Sequence, residues 1–319
     1  MQNQLKPKLS INDAATMLGV TPQAVHLRVR NNQFKLSLSG NKQYLTHAEA
    51  RAVFSDLLPK YKKTIIAIHN VRGGVGKTTL ANSIAVRASL YGAKVLCIDA
   101  DKQGNLTESF NVDADGKKIL FDLISDPALS IKDCIIPVTD GIDLIPSRIE
   151  NSLIDRLINS KGGRLDLIYP KILKGINLLD TYDLVLFDCP PEIGFNVQSI
   201  MFFCDYSLTP VTPDKYSLNG LRVIDQMFDA MVEDYKPENR PYFRVLFNKY
   251  DNRTKLSFHM LKMVQDNPVY SANMFNCFIQ TNSDFPNQLN SSISSYDNLK
   301  HSTSKEDIDV LVREILGLE

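Results

Sequence analysis

The run Val71-Arg72-Gly73-Gly74-Val75-Gly76-Lys77-Thr78-Thr79 follows an apolar, β-branched stretch at residues 64–70 and precedes a helical pattern over about residues 77–91. Glycines let backbone N–H groups crowd around an anion. The positive end of a helix dipole favours the same charge, and Lys77 adds an ammonium. Thr78 is placed to offer its hydroxyl to Mg2+. The predicted chemistry is capture of phosphate groups by Gly73, Gly74, Val75, Gly76, Lys77, Thr78 and Thr79. The ordinary G-x-x-x-x-G-K-[ST] spacing is not met, because Val71 stands at its first glycine.

Two further apolar runs end in carboxylates. Residues 94–98 lead into Asp99-Ala100-Asp101-Lys102-Gln103-Gly104-Asn105, and residues 182–187 lead into Asp188-Cys189-Pro190-Pro191. A carboxylate at the C-terminal end of a strand, beside a phosphate loop, is well placed for metal or water chemistry. In this order the three segments resemble the ParA/MinD family of ATPases, whose motifs read K-G-G-x-G-K-T, D-x-D-P-Q-G-N and D-x-P-P. The chain departs from that pattern at Arg72, where the family has lysine, and at Lys102, where it has proline.

The resemblance implies ATP/ADP and Mg2+ as ligands. It makes Lys77, Asp101 and Arg72 catalytic: Asp101 orients or activates the attacking water, and the residue at Arg72 reaches across a dimer to the partner's phosphates. It also implies Asp99 as a magnesium-side carboxylate and Asp188 as a holder of Mg2+ through water, with the base near Pro213 and Asn248. Asn248-Lys249-Tyr250-Asp251 fits N-K-x-D as well, the pattern by which many GTPases read guanine. ATP remains the expected nucleotide.

Upstream, residues 9–30 read as two short helices around a turn. Ser10 caps the first, about residues 11–18, which stops at Gly19. Thr21 before Pro22 caps the second, about residues 22–31, with proline where its missing N–H costs nothing. The spacing Ala15, Gly19, Val25 is the helix-turn-helix pattern. A hairpin with a Gly40-Asn41 turn follows, and Thr46-His47-Ala48-Glu49 is a capping box opening a third helix to about residue 58. These elements resemble the winged helix-turn-helix of MerR-type DNA-binding domains, with Thr21, Gln23, His26, Arg28, Arg30 and Lys42 toward DNA.

The fold expected is α/β, a doubly wound mostly parallel sheet of the P-loop NTPase, ParA-like kind, preceded by the small winged helix-turn-helix domain. The expected organisation is 1–58 DNA-binding domain, 59–63 linker and 64–319 ATPase domain, with a strand at residues 141–146. Residues 150–178 form a helical insertion to which no role is assigned.

Composition agrees with an ordinary globular chain: 319 residues, 44 % hydrophobic, 23 % charged, net charge zero. The zero hides an asymmetry, because residues 1–63 carry 10 Lys+Arg against 3 Asp+Glu. A basic front on a larger acidic body points to nucleic-acid contact there. Five scattered cysteines without a C-x-x-C pair argue against a zinc site or disulfide framework. No apolar run is long enough to span a membrane, and the tail at residues 304–316 is an acidic amphipathic helix, not a basic membrane-binding one.

The function expected is that of a DNA partition ATPase, cytoplasmic and nucleoid-associated. It would dimerise with ATP, bind DNA, answer to a ParB-type adaptor and repress its own operator. Because residues 279–287 lack the arginines that relatives use for non-specific DNA binding, the N-terminal module is expected to supply most DNA affinity. The alternative is a nucleotide-responsive transcriptional regulator with a slow or vestigial ATPase.

Overall fold

The computed structural model describes residues 6–162, 164–174, 176–237, 240–282, 295–297, 299–300 and 302–318. The chain opens with β1 (Leu9–Ser10), α1 (Ile11–Leu18), α2 (Pro22–Asn31), β2 (Ser37–Ser39), β3 (Lys42–Leu45) and α3 (His47–Val53). The caps are those read from the sequence. Ser10 accepts from the Asp13 amide, Thr21 accepts from the Ala24 amide, and Gly19 ends α1 at φ 63°. Two features differ from expectation. Leu9–Ser10 pairs antiparallel with β3, giving a sheet of order β1-β3-β2. Helix α3 stops at Val53, because Arg28 Nη1 takes the Val53 carbonyl at 2.8 Å and the chain turns under α2.

The large sheet begins with β4 (Thr64–Ile68), which leads to α4 (Lys77–Leu90). Next come β5 (Val95–Asp99), α5 (Asn105–Ser109), α6 (Leu120–Ser125), β6 (Ile136–Thr139), β7 (Ile142–Ile145), α7 (Ile154–Lys161) and α8 (Ile168–Leu173). Then follow β8 (Leu184–Asp188), α9 (Phe195–Phe203), β9 (Tyr206–Val211), α10 (Lys215–Tyr235), β10 (Phe243–Tyr250), α11 (Lys255–Gln265), α12 (Pro268–Ala272), β11 (Met274–Gln280) and α13 (Thr303–Leu316). Strand order is β11-β10-β9-β4-β8-β5-β7-β6. Every pairing is parallel except that of β6, an unforeseen edge strand that pairs antiparallel with β7. The order reverses around the central β4, so its carboxyl end opens on a crevice, the usual ligand position in such sheets.

Side-chain alternation divides the core in two. Ile66 and Ile68 of β4, Cys97 of β5 and Leu184 and Leu186 of β8 face one cluster with α4 and α13. Ile65 and Ala67, Leu96 and Ile98, and Val185 and Phe187 face the other, with α6 to α11. Both faces are covered, so the central strands read as continuous apolar runs.

The N-terminal elements join the first cluster: Leu9, Val25, Leu45 and Phe54 are buried in the same apolar body as Ile84, Tyr91 and Leu311. Gly92, at φ 79°, lets α3 approach the end of α4, since a Cβ there would lie 2.6 Å from Arg51 Cα. Arg51 Nη1 donates to the Gly92 carbonyl at 2.5 Å and pairs with Asp183 at 3.3 Å. His47 Nδ1 lies 2.8 Å from the Ser89 carbonyl, and Tyr61 Oη donates to the Tyr91 carbonyl at 2.7 Å. The tail helix packs inward as expected, burying Ile308, Leu311, Val312, Ile315 and Leu316.

Candidate nucleotide site

The loop from Ile68 to Lys77 is fixed at its root by Asn70, whose amide donates to the Pro210 carbonyl at 2.8 Å while its Oδ1 accepts from the Arg72 amide at 2.9 Å. Gly74 and Gly76 take φ 76° and 92°, the left-handed region that favours glycine. Gly76 is also close to a neighbour: an added Cβ would lie 2.7 Å from Asn248 Nδ2, which donates to the Val75 carbonyl at 2.8 Å. Gly76 and Lys77 open α4, so the loop ends at a helix N-terminus, where the dipole favours an anion.

Lys77 is buried, and its Nζ donates to the carbonyls of Asn70 (3.3 Å) and Arg72 (3.2 Å). Burial pushes its pKa down, against the pull of Asp188 and Asp101. One residue on, Thr78 Oγ1 donates to Asp188 Oδ2 at 2.7 Å. The other oxygen, Asp188 Oδ1, is buried with no hydrogen-bond partner. Burial, and then the neighbouring Asp99, hold the Asp188 carboxyl well above the usual carboxylate range. A hard cation bound by oxygen ligands would relieve both conditions, so Thr78 and Asp188 fit Mg2+.

Asp99 lies at the end of β5, behind the cleft. It is wholly buried, Oδ2 accepts from the Thr107 amide (2.8 Å) and hydroxyl (2.7 Å), and Oδ1 accepts from the Asp101 amide (3.2 Å). Both oxygens are engaged by the protein, so Asp99 holds the Asp101 loop. Asp101 lines the cleft with Lys77 and Thr78, its Oδ1 accepting from the Gln103 amide at 2.9 Å.

Arg72 points out of its own cleft. Its guanidinium turns away, 2.9 Å from Asp214 Oδ1 and 5.1 Å from the Tyr216 ring centroid. It lines a smaller pocket of about 430 Å3 with Pro213, not the main cleft. Asp214 is held there because it caps α10, accepting from the Tyr216 and Ser217 amides at 3.0 Å. Pro213 therefore lies beside the cleft, while Asn248 lines it.

The cleft encloses about 1080 Å3, and Gly73, Gly74, Gly76, Lys77, Thr78 and Thr79 form one wall. The opposite wall was missed from the sequence: Lys102 and Glu192 on one side, Lys249, Gln280, Thr281 and Asn282 on the other. Lys249 takes a left-handed φ of 57°, and its Nζ donates to the Gly74 carbonyl at 2.7 Å. The position of β11 beside β10 carried the signal, since carboxyl ends of neighbouring strands share a crevice. Asp251 of the N-K-x-D run is engaged elsewhere, bound by Arg253 at 2.8 and 2.9 Å, contacts that hold its carboxyl down at about 2.

A family profile described as "AAA domain" matches residues 63–239, over half of the chain. A "ParA family protein" of Mycoplasma pneumoniae is 31 % identical over 214 residues, covering 63 % of this chain and 76 % of that one. The chain belongs to the ParA family. Within that family it is also similar to the sporulation initiation inhibitor protein Soj of Bacillus subtilis, 28 % identical over 63 % of this chain and 78 % of Soj. Among solved structures, an ATP complex of Cyanothece McdA matches with a TM-score of 0.70 at 22 % identity, over 81 % of this chain and 98 % of that one, a likeness of fold. The chain is thus a ParA-type P-loop NTPase on a mostly parallel α/β sheet. The profile begins at residue 63, so the front module lies outside it.

In that module, Gln23, His26, Arg30 and Lys42 are exposed, and Thr21 is exposed while capping α2. His26 and Lys42 line a groove of about 1030 Å3 between the module and α13, which also holds Lys8, Lys305 and Arg313. Arg28 is the exception. It is half-buried and donates to the Val53 carbonyl and, at 3.1 Å, pairs with Asp56, so it fastens α2 to the end of α3. Of the segment 279–287, residues 283–287 lie outside the described residues. Among the described residues, no helix is long and apolar enough to cross a membrane.

Proposed function

We propose that this chain is a DNA partition ATPase that binds and hydrolyses Mg-ATP and carries its DNA-binding elements in residues 1–58, a winged helix-turn-helix ahead of a 59–63 connection and a 64–319 ATPase body. The observation that carries this reading is the Thr78–Asp188 hydrogen bond under the glycine loop, with Asp188 Oδ1 left over and Asp101 on the same cleft. When bound, Mg2+ supplies charge neutralisation to the phosphates and a template for in-line attack.

The protein's own residues do the rest. Lys77 exchanges its two carbonyl partners for phosphate oxygens, and the Gly73 to Gly76 amides hold the anion. Asp101, fixed through its amide by Asp99, accepts a hydrogen bond from the water that attacks the terminal phosphorus, and the bridging oxygen leaves on ADP.

In this reading the γ-phosphate is the difference between two states of the protein, a dimer that holds DNA and a form that has let go. A ParB-type adaptor speeds the passage between them. DNA is contacted by Thr21, Gln23, His26, Arg30 and Lys42, operator binding by these residues gives autoregulation, and the protein works in the cytoplasm on the nucleoid with no membrane step. Sedimentation with ADP, and with ATP plus Asp101→Ala, tests the core of this. ATP should dimerise the variant and ADP should not, and an ATP-loaded variant that stays monomeric would overturn the partition reading.

A second reading is favoured by one observation, the turn of Arg72 onto Asp214. A regulator with slow turnover needs no side chain reaching across a dimer. Operator repression that persists without any partner-stimulated hydrolysis is its signature.

A further inference from the structure

Two positions depart from the ParA/MinD motifs, and the structure relates them. Arg72 lines the pocket beside the phosphate cleft, 2.9 Å from Asp214 and near the Tyr216 ring. Lys102, where the family has an uncharged proline, lines that cleft with Lys77, Thr78 and Asp101. One cation thus stands beside the phosphate cleft and another stands on its wall.

The backbone on either side of Lys102 is fixed. Asp101 N donates to Asp99 Oδ1, Gln103 N to Asp101 Oδ1 (2.9 Å), and Ser147 Oγ to the Asp101 carbonyl (2.5 Å). Gly104, at φ 68°, closes the turn, and a Cβ there would lie 3.3 Å from the Ser147 carbonyl. The lysine's four-carbon stem extends from that fixed turn into solvent. Its ammonium rests 2.8 Å from Glu192 Oε1, on the loop that follows Asp188 and Pro191. That pair is exposed, with side-chain exposures of 36 % and 57 %, and solvent screens such pairs strongly. A terminal phosphate, with more charge and three acceptor oxygens, outcompetes a single screened carboxylate for the same ammonium.

We propose that Lys102 is a catalytic residue of this chain: it supplies in cis, from the Asp101 loop, the second cation on the terminal phosphate, with Glu192 as its partner when no triphosphate is bound. This rests on the reading of the cleft as an ATP site. A group that neutralises charge developing on the phosphoryl oxygens acts on triphosphate and transition state, and acts little on the diphosphate product.

The test uses the full chain with Lys102→Met, Lys102→Arg, Glu192→Gln and Arg72→Met. Thermal unfolding serves as a folding check, and steady-state turnover is measured beside equilibrium affinity for ATP and for ADP. Lys102→Met should lower kcat by about 10²-fold and weaken ATP binding about tenfold while leaving ADP within about threefold, the loss typical of one preorganised charge-stabilising group. Lys102→Arg should recover most of the turnover. Glu192→Gln, which frees the ammonium, should tighten ATP, and Arg72→Met should cost less than about threefold. The proposal is overturned if Arg72→Met loses the hundredfold instead, or if Lys102→Met weakens ATP and ADP alike. Failure of the underlying reading is separate: wild-type protein would then bind no ATP, or Lys77→Ala would bind it as well as wild type.

Discussion

Asp188 sits where stability and function pull in opposite directions. Its carboxyl is buried, raised by its surroundings, and half satisfied. Asp188→Asn keeps an acceptor for Thr78 and removes a buried ionisable group, so the unfolding midpoint should hold or rise. Magnesium-dependent ATP affinity should fall by about 10–100-fold, as when a partner that acts on a metal through water is lost. Titrating Mg2+ at fixed ATP and melting the same samples would check both halves.

His69, at the end of β4, gives a pH signature. Burial, then the Lys77 ammonium, depress its pKa from 6.5 to about 3. The unfolded chain therefore binds the extra proton between those values. Stability from this residue is full above pH 6.5 and drops by about 1.4 kcal/mol per unit as the pH falls toward 3. His69→Asn should flatten that part of the profile in denaturant titrations from pH 7 to pH 4. An unchanged slope would assign the acid loss to other groups.

Among the elements, the front helices were legible because their signals are local. Ser10, Gly19, Thr21 and Pro22 fixed α1 and α2 to the residue. The end of α3 was not, since the group that takes the Val53 carbonyl is Arg28 from another helix. The phosphate loop was legible as a contiguous motif. The direction of Arg72 was not, because it depends on where α10 puts Asp214, and no spacing in the chain encodes that approach.

The same contrast separates two arginines of α2. Arg28→Ala should lower stability by about 1 kcal/mol, the worth of a lost part-buried hydrogen bond, and leave salt-dependent DNA binding intact. Arg30→Ala should leave the melt unchanged and reduce the slope of log affinity against log salt by about 0.9, one phosphate contact. Gly92→Ala, forced to a left-handed backbone against Arg51, should cost about 1–3 kcal/mol by prying α3 from α4.

For the whole molecule, charge alone suggested a basic front joined by a linker to an acidic body. The contacts draw them closer: Lys62 N donates to the Leu316 carbonyl, Lys63 Nζ to the Leu179 carbonyl, and one apolar cluster runs from Leu9 through α4 to Leu316. Removing residues 1–58 should therefore do two things. DNA affinity at physiological salt should largely disappear, and the remaining body should melt earlier and bind apolar dyes, because Tyr91 loses the Phe54 ring and the cluster loses its N-terminal members. A truncated body that melts like the full chain would refute the second expectation, and undiminished DNA affinity the first.

Helix α4 starts at Lys77 under the glycine loop and finishes at Leu90, where Ser89 and Gly92 are gripped by His47 and Arg51. In the proposed function this helix joins the nucleotide site at one end to the DNA-binding elements at the other. Whatever factor a bound triphosphate lends to the grip on an operator, that operator must return to the grip on the triphosphate. Nucleotide off-rates measured with and without cognate duplex would read the size of that exchange directly.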